Sequence, residues 1–327
     1  MKICGIVAEF NPFHNGHQYI INKIKGDNTC ILSVMSGNFV QRGEPAVFSK
    51  FTRAEAALNC GVDLVVELPS PWSASCAQNF SYGAISLLKN CEIDKIVFGS
   101  ETDSIDSIKK IAKTDRNLTF TEADLKSGRT YAQIRQNALS KQIGIDCAEI
   151  LEGANNNLGI EYLKAMMDLD CNFEAEAIKR CGADHDSTVK SEDICSASYL
   201  REQIKNGNSF DSYIPQQSSL LYEQNLKSGR YMDFEFFERD ILSYLRRLPS
   251  FGKFPDVSEG IDNKIFKELR TAGSYQELLM NIKSKRYTLA RIRRILLAAY
   301  LDMNCDWFLK EVPYINVLGF KKRRNSS

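Results

Sequence analysis

Imidazole is scarce in this chain: three histidines in 327 residues, and no cluster of metal-ligand type is visible around any of them. Long apolar runs are missing altogether. Nothing approaches the ~18 consecutive apolar residues that a spanning helix requires. The opening "MKICGIVAEF" is one Lys and a short apolar run ended by a carboxylate, too short and too soon interrupted for a secretory signal. Ten cysteines are present, scattered from Cys4 to Cys305 with no C-x-x-C spacing. Several of them, such as Cys4, Cys30 and Cys60, sit in apolar contexts where cysteine behaves as a small buried hydrophobe. Disulfide frameworks and structural zinc are therefore not expected, and a reduced, cytoplasmic protein is. Net charge is also nearly absent, at +1, but the total hides an asymmetry. From Lys227 onward, 20 basic and 12 acidic residues leave +8, so the remainder carries −7. A basic C-terminal third on a mildly acidic body suits contact with a polyanion, although basic helices are as often only solvated faces. Neither a membrane nor DNA is an expected partner.

The first two hundred residues alternate short apolar runs with helical patterns. Strands are expected at 2–10, 29–35, 63–69, 95–100 and 173–179, with helices at 16–25, 51–59, 79–90, 104–113, 127–141 and 156–168. Buried β-branched strands separated by helices imply an α/β fold, a doubly wound parallel sheet covered on both faces. This unit is expected over 1–205. Strand signals then fade. "GNSFDSYIP" (207–215) reads as a linker, and 233–247, 262–270 and 274–301 read as helices of a basic C-terminal unit over 206–327. Within 286–299, Leu289, Ile292, Ile295, Leu296 and Ala299 gather on one side of a helical projection. Lys283, Arg286, Arg293 and Arg294 gather on the other.

Two of the three histidines, His14 and His17, fall in "EFNPFHNGHQYIINKIK" (9–25), between the first expected strand and the first expected helix. In open parallel sheets ligands sit at that strand end. A helix start presents unpaired N–H groups and a positive dipole end, most naturally to a phosphate. Gly16 would let a ring or phosphate approach the backbone, and two imidazoles three apart can donate to phosphate oxygens, stabilising charge during nucleotidyl transfer. A lone histidine here would more simply be a helix cap; the pair after a buried strand points to phosphate chemistry.

"FNPFHNGH" resembles the H-x-G-H signature of the nucleotidylyltransferase superfamily. The longer "GIVAEFNPFHNGHQYI" is similar to one family, the bacterial tRNA(Met) cytidine acetate ligases, as are 34–69, "FGSE" (98–101), "NNNLGIEYL" (155–163), "SKRYTLARIRRILL" (284–297) and "YINVLGF" (314–320). The resemblance implies a Rossmann-like nucleotidylyltransferase sheet with a mostly helical C-terminal domain that binds tRNA. It implies catalytic roles for His14 and His17, and for Ser198 and Arg201 in "ICSASYLR" (194–201), the counterpart of a Ser-rich turn ending in Arg. Hydroxyls and amides there would hold phosphates and Arg would offset their charge, though Ser before a helix is usually an N-cap. ATP contacts are implied for Val7, Ala8, Glu9, Phe10, Asn11, Pro12, Phe13, His14, Asn15, Gly16, His17, Gln18, Tyr19 and Ile20, and for Gly99, Asn155 or Asn156, Arg180 and Ser196. The family usually has Pro at Ala154 and Ser at Cys195, and a loop after Arg180 one residue longer; His185, in that loop, is given no role. Gln41 and Arg42, in "SGNFVQRGEP" (36–45), fit a loop closing over the acyl substrate or a structural turn.

The implied reaction joins acetate to ATP as acetyl-adenylate, releasing pyrophosphate. It then acetylates the wobble cytidine of elongator tRNA(Met) to N4-acetylcytidine and releases AMP, with Mg2+ carried by ATP and no metal site of the chain's own. Lys283, Arg286, Arg293 and Arg294 suit tRNA phosphates, and Tyr287 and Tyr300 are candidates for a base pocket or for core packing. Family members extend further beyond "YINVLGF" than this sequence does. Two alternatives share parts of the pattern: an adenylyltransferase for a small cofactor precursor, and a catalytically silent RNA-binding protein.

Overall fold

In the first strand, β1 (Lys2–Ala8), alternate residues serve different cores: Cys4 and Ile6 pack into one apolar cluster, and Ile3 and Val7 against another. The same division recurs in β2 (Thr29–Ser36), where Ile31 and Met35 face one way and Leu32 and Val34 the other. Side chains alternate along a strand, so a strand covered on both faces needs apolar residues at every position. That requirement is why these segments read as continuous runs. The computed structural model describes residues 1–121, 124, 128–144, 149–180, 195–232, 234–309 and 311–322. His185 lies outside the described residues.

Between β2 and the next sheet strand, β3 (Phe39–Val40) and β4 (Glu44–Pro45) form a small antiparallel hairpin. With β5 (Leu64–Leu68), β6 (Lys95–Ser100), β7 (Glu174–Lys179) and β8 (Val317–Phe320), the main sheet runs β7-β6-β1-β2-β5-β8. The first five strands in that order are mutually parallel and β8 is antiparallel to β5. The chain winds outward from β1 to β5, then returns to β6 on the other side of β1, so the topological switch lies between β1 and β6.

One face is covered by α1 (Asn15–Ile24) and α2 (Lys50–Asn59). The short α3 (Ser70–Ser73) precedes α4 (Ala77–Asn90), which with α5 (Ile105–Arg116), α6 (Tyr131–Ile143) and α7 (Ala154–Asp168) covers the other. Gly5 makes the α4 side close-packed: a Cβ there would stand 2.7 Å from both Ile93 Cδ1 and Leu88 Cδ2. α8 (Ala197–Lys205) and α9 (Gln216–Lys227) complete the α1–α2 face. The stretch expected as a linker, 207–215, belongs to this packing as well. Phe210, Tyr213 and Ile214 are buried in the same cluster, because an aromatic and aliphatic trio is too apolar to cross solvent. A third core joins α10 (Phe234–Leu245), α11 (Ile261–Leu269), α12 (Tyr275–Ile282) and α13 (Leu289–Tyr300).

The single helix expected over 274–301 is two helices. Lys283 leaves α12 in an extended conformation, and the Thr288 hydroxyl caps α13 by accepting from the Arg291 N–H at 3.3 Å. Ser and Thr compete with helical hydrogen bonding in this way. Tyr287 turns inward and donates to the Glu259 carbonyl at 2.7 Å. The apolar stripe expected beyond the break is present, with Ile292, Ile295, Leu296 and Ala299 fully buried. β8 has no counterpart among the expected strands. It is an edge strand with Val317 and Phe320 exposed, so its sequence carries no alternation, and it is tied down through backbone pairing and the Glu67 N–H to Asn316 carbonyl bond at 2.8 Å. Among the described residues no helix is long and apolar enough to cross a membrane.

Where β1 and β2 end, the fully buried Arg53 of α2 gathers the emerging loops. It donates to the carbonyls of Phe48 (3.0 Å), Glu9 (2.5 Å), Ser36 (3.1 Å) and Gly37. Burial pushes its pKa down to about 10, opposed by Tyr222, Glu9 and Glu67, and it stays charged at neutral pH. Arg53→Met leaves these acceptors buried without donors and is expected to cost about 3–5 kcal/mol of stability in urea unfolding. Arg53→Lys, lacking the planar fork, is expected to recover only part of it.

Candidate active site

A pocket opens at the switch point, outside the ends of β1 and β6. From β1 and the turn after it, Val7, Ala8, Glu9, Phe10, Asn11, His14, His17 and Ile20 line it. Gly99 comes from β6, Asn155 from the start of α7, Arg180 from the end of β7, and Ser196, Ser198 and Arg201 from the start of α8. The two motifs read from the sequence, about 180 residues apart, therefore meet in one cavity.

The turn is built to hold the two imidazoles together. Phe10, with φ +46, adopts a left-handed conformation unusual for a bulky residue. Its ring is buried against Phe13 and His17, with centroids 5.0 Å away in each case. His14 is the N-cap of α1, and its Nδ1 accepts from the Gly16 N–H at 3.1 Å. His17 returns the capping box, its Nδ1 accepting from the His14 N–H at 3.2 Å. The rings lie 3.8 Å apart and 32° from parallel. A neutral imidazole has one acceptor and one donor nitrogen. With both Nδ1 atoms accepting, both protons sit on Nε2, at the tips of the rings. Of the helix-start N–H groups expected to face an anion beside the imidazoles, that of Gly16 is taken by the His14 ring.

Arg201 joins the second motif to the first. It donates to the Asn11 carbonyl at 3.0 Å and to the Ser198 hydroxyl at 3.1 Å. Ser196 is the N-cap of α8, accepting from the Tyr199 N–H at 3.1 Å, so the simple capping role and the pocket position coincide. Arg180 donates to Asn155 Oδ1 at 3.0 Å. Gly99 leaves it room, since a Cβ there would stand 3.1 Å from Arg180 Cγ. Asn155 is held by Glu101, which accepts from its backbone N–H and its side-chain amide. Burial opposes the Glu101 charge, but these bonds and that from the Asn156 N–H hold its carboxyl below the usual range. Burial depresses the Arg201 and Arg180 values, countered by Glu44 and Glu9 at the first and by Glu101 at the second.

Other residues expected at the site serve it from behind. Asn156 accepts from the Ser100 hydroxyl at 2.6 Å and the Glu101 N–H at 3.0 Å, clamping the end of β6. Phe13 is fully buried in the core, its N–H donating to the Tyr222 hydroxyl at 3.0 Å. Asn15 donates to the Ser212 carbonyl, Gln18 to Asn22 and the Cys60 carbonyl, and Tyr19 lies beneath Lys23. Pro12 and Gly16 shape the turn and do not line the cavity. Residues the sequence did not single out complete the walls: Val40, Phe80, Phe98, Leu158 and Tyr162. Asn155, Leu158 and Tyr162 recur at helical spacing on α7, a signal visible in "NNNLGIEYL" only once Asn155 is placed. Gln41 and Arg42 line the pocket, and the Gln41 N–H donates to Glu9 Oε1 at 2.8 Å.

The basic set divides. Lys283 and Arg286 are exposed in the break between α12 and α13. Arg293 pairs with Glu44 at 2.5 Å and Arg294 with Asp256 at 2.8 Å, both about three-quarters buried or more. Tyr287 and Tyr300 pack with the third core.

A family model described as HIGH Nucleotidyl Transferase matches residues 1–327. The chain is similar to the tRNA(Met) cytidine acetate ligase of Clostridium novyi, 40% identical over 98% of this chain and 84% of that one. That of Caldicellulosiruptor saccharolyticus is 38% identical over 99% and 83%. Among solved structures, Thermotoga maritima TmcAL in its apo form superposes with a TM-score of 0.92 at 32% identity, covering 98% of this chain and 81% of that one. The same protein bound with alpha-thio ATP gives 0.88.

The capping box makes a spectroscopic prediction. At a pH where the rings are neutral, long-range 1H–15N spectra are expected to show His14 and His17 as Nε2–H tautomers; a Nδ1–H pattern for either would contradict this geometry.

Proposed function

The chain belongs to the HIGH nucleotidyl transferase family, and from that membership we propose that it is an ATP-dependent tRNA(Met) cytidine acetate ligase. The observation that carries the reading is the convergence of the two Nε2–H donors with Ser198, Arg180 and Arg201 in one cavity at the switch point, in a chain matching named ligases over nearly its whole length. An acetate oxygen attacks the α-phosphorus of ATP and pyrophosphate leaves. No covalent nucleophile of the protein is needed. His14, His17, Arg180 and Arg201 align the triphosphate and offset the charge that moves onto the leaving oxygens. The N4 amine of the wobble cytidine then attacks the acetyl carbonyl and AMP departs. For this the base must leave its stack and enter the pocket.

Mg2+ would enter with the nucleotide, as part of that substrate. Among the described residues no group of three or more His, Cys, Asp or Glu is placed to hold a metal ion. For tRNA, the exposed Lys283 and Arg286 supply phosphate contacts on the helical unit. Arg293 and Arg294 act there mainly through their internal ion pairs.

The test is incubation with labelled acetate, ATP and bulk bacterial tRNA. Label is expected in tRNA only when ATP is present, with AMP released. Pyrophosphate release that requires a nucleotide precursor would favour a small-molecule adenylyltransferase, and no turnover a silent RNA-binding protein. His17→Ala is expected to abolish acetyl-adenylate formation while tRNA binding is largely kept. Removing Lys283 and Arg286 together is expected to make log Kd less steep in log salt by roughly 0.7–0.9 per lost phosphate contact.

A further inference from the structure

We propose that Glu9 is the base that takes the proton from the attacking amine in the second half-reaction, an inference that rests on the ligase reading above. The step has a fixed balance. The N4 nitrogen forms a bond to the acetyl carbon, the bond from that carbon to the phosphate oxygen breaks, and AMP leaves with the electron pair. The nitrogen enters with two protons and remains in the amide with one, so one proton must be accepted.

The pocket leaves few acceptors. His14 and His17 use their Nδ1 lone pairs on backbone N–H groups and present Nε2–H donors. Arg42, Arg180 and Arg201 are cations. Ser198 Oγ receives Arg201, and Ser196 Oγ receives the Tyr199 N–H. The Tyr162 phenol is pushed upward by burial and by Glu9, which keeps it protonated. Among the described residues that line the cavity, Glu9 is the one carboxylate.

Its position fits the acceptor end. Asn155, which meets Arg180 at the nucleotide side, and Tyr162, whose phenol feels the Glu9 charge, stand seven residues apart on α7, about 10 Å along the helix axis. Phe80, Phe98 and Leu158 supply flat apolar wall for a base and an acetyl methyl. The carboxylate is aimed rather than loose, with Oε1 accepting from the Gln41 N–H at 2.8 Å. Burial pushes the Glu9 carboxyl up, opposed by the Gln41 N–H and by the surrounding Arg201, Arg42 and Arg53. A carboxylate so placed is a stronger base than one in water.

Glu9→Gln tests this, because the amide oxygen still accepts the Gln41 N–H but cannot take a proton. The two half-reactions are measured separately on the full chain: acetate-dependent exchange of labelled pyrophosphate into ATP, and single-turnover transfer of labelled acetyl from enzyme-bound acetyl-adenylate to tRNA. Transfer is expected to fall by about 10²–10⁴-fold, and exchange by far less. The acid limb of the wild-type transfer rate, set above the usual carboxylate range, is expected to vanish in the variant. Glu9→Asp, which retains a carboxylate, is expected to restore part of the transfer rate and its acid limb. Equal loss in both half-reactions would make Glu9 an ordering residue only and overturn the proposal. Unchanged transfer would mean that the departing phosphate takes the proton, and would overturn it too. Wild-type protein run alongside separates the two inferences: if it exchanges pyrophosphate but never labels tRNA, the ligase reading falls as well.

Discussion

A single buried guanidinium holds the working end of this sheet together. Arg53 binds backbone carbonyls from three segments: the end of β1, the end of β2 with the loop after it, and the approach to α2. Loops that leave parallel strands expose carbonyls that no neighbouring strand can satisfy, and burying them without donors would be costly. Arg53 meets that need with a charge-assisted fork from below, which leaves the upper surface of the same loops to face the pocket. The Glu9 carbonyl goes to Arg53 and the Glu9 side chain to the cavity, so the structural and chemical faces of one residue are separated.

Above that clamp the histidine pair illustrates how a small local motif becomes a directed one. A capping box ordinarily satisfies helix N–H groups with hydroxyls and carboxylates. Here imidazoles do it, and satisfying the backbone through Nδ1 determines which nitrogen carries the proton. The same two hydrogen bonds therefore start α1, lock the ring orientations and select the donor tautomer. Phe10 and Phe13 pack against the His17 ring, which limits its freedom to turn away.

The helical unit is wired to the pocket through the β3–β4 hairpin. Gly43, at φ +75, lies so close to α13 that a Cβ would stand 2.5 Å from the Arg294 backbone nitrogen. Next to it, Glu44 pairs with Arg293, and Phe39 packs against the third core. The inner side of the same hairpin places Gln41 against Glu9 and Arg42 in the cavity wall. Arg293, a cation that composition assigns to a nucleic-acid surface, thus braces the hairpin that brings Gln41 and Arg42 to the cavity.

Much of this was legible beforehand. Four of the five parallel strands announce themselves because residues such as Cys4, Ile6, Ile3 and Val7 must all be apolar when both faces are covered; the edge strand β7 carries Glu174 and Glu176 instead. The H-x-G-H and Ser-Ala-Ser-Tyr-Leu-Arg motifs mark their loops by residue type alone. What the sequence could not determine depends on contacts between distant segments. The break at 283–288 follows from the inward turn of Tyr287 onto the Glu259 carbonyl, after which Thr288 caps α13. The edge strand β8 is held by hydrogen bonds to β5, which leave no apolar periodicity to read. Whether Asn155 or Asn156 faces the cavity, and whether Arg293 faces a phosphate or Glu44, was decided only when Glu101, Ser100 and the hairpin arrived as partners. Residue type sets what a side chain can do, whereas its partner across the fold, often more than a hundred residues away, sets which of those things it does.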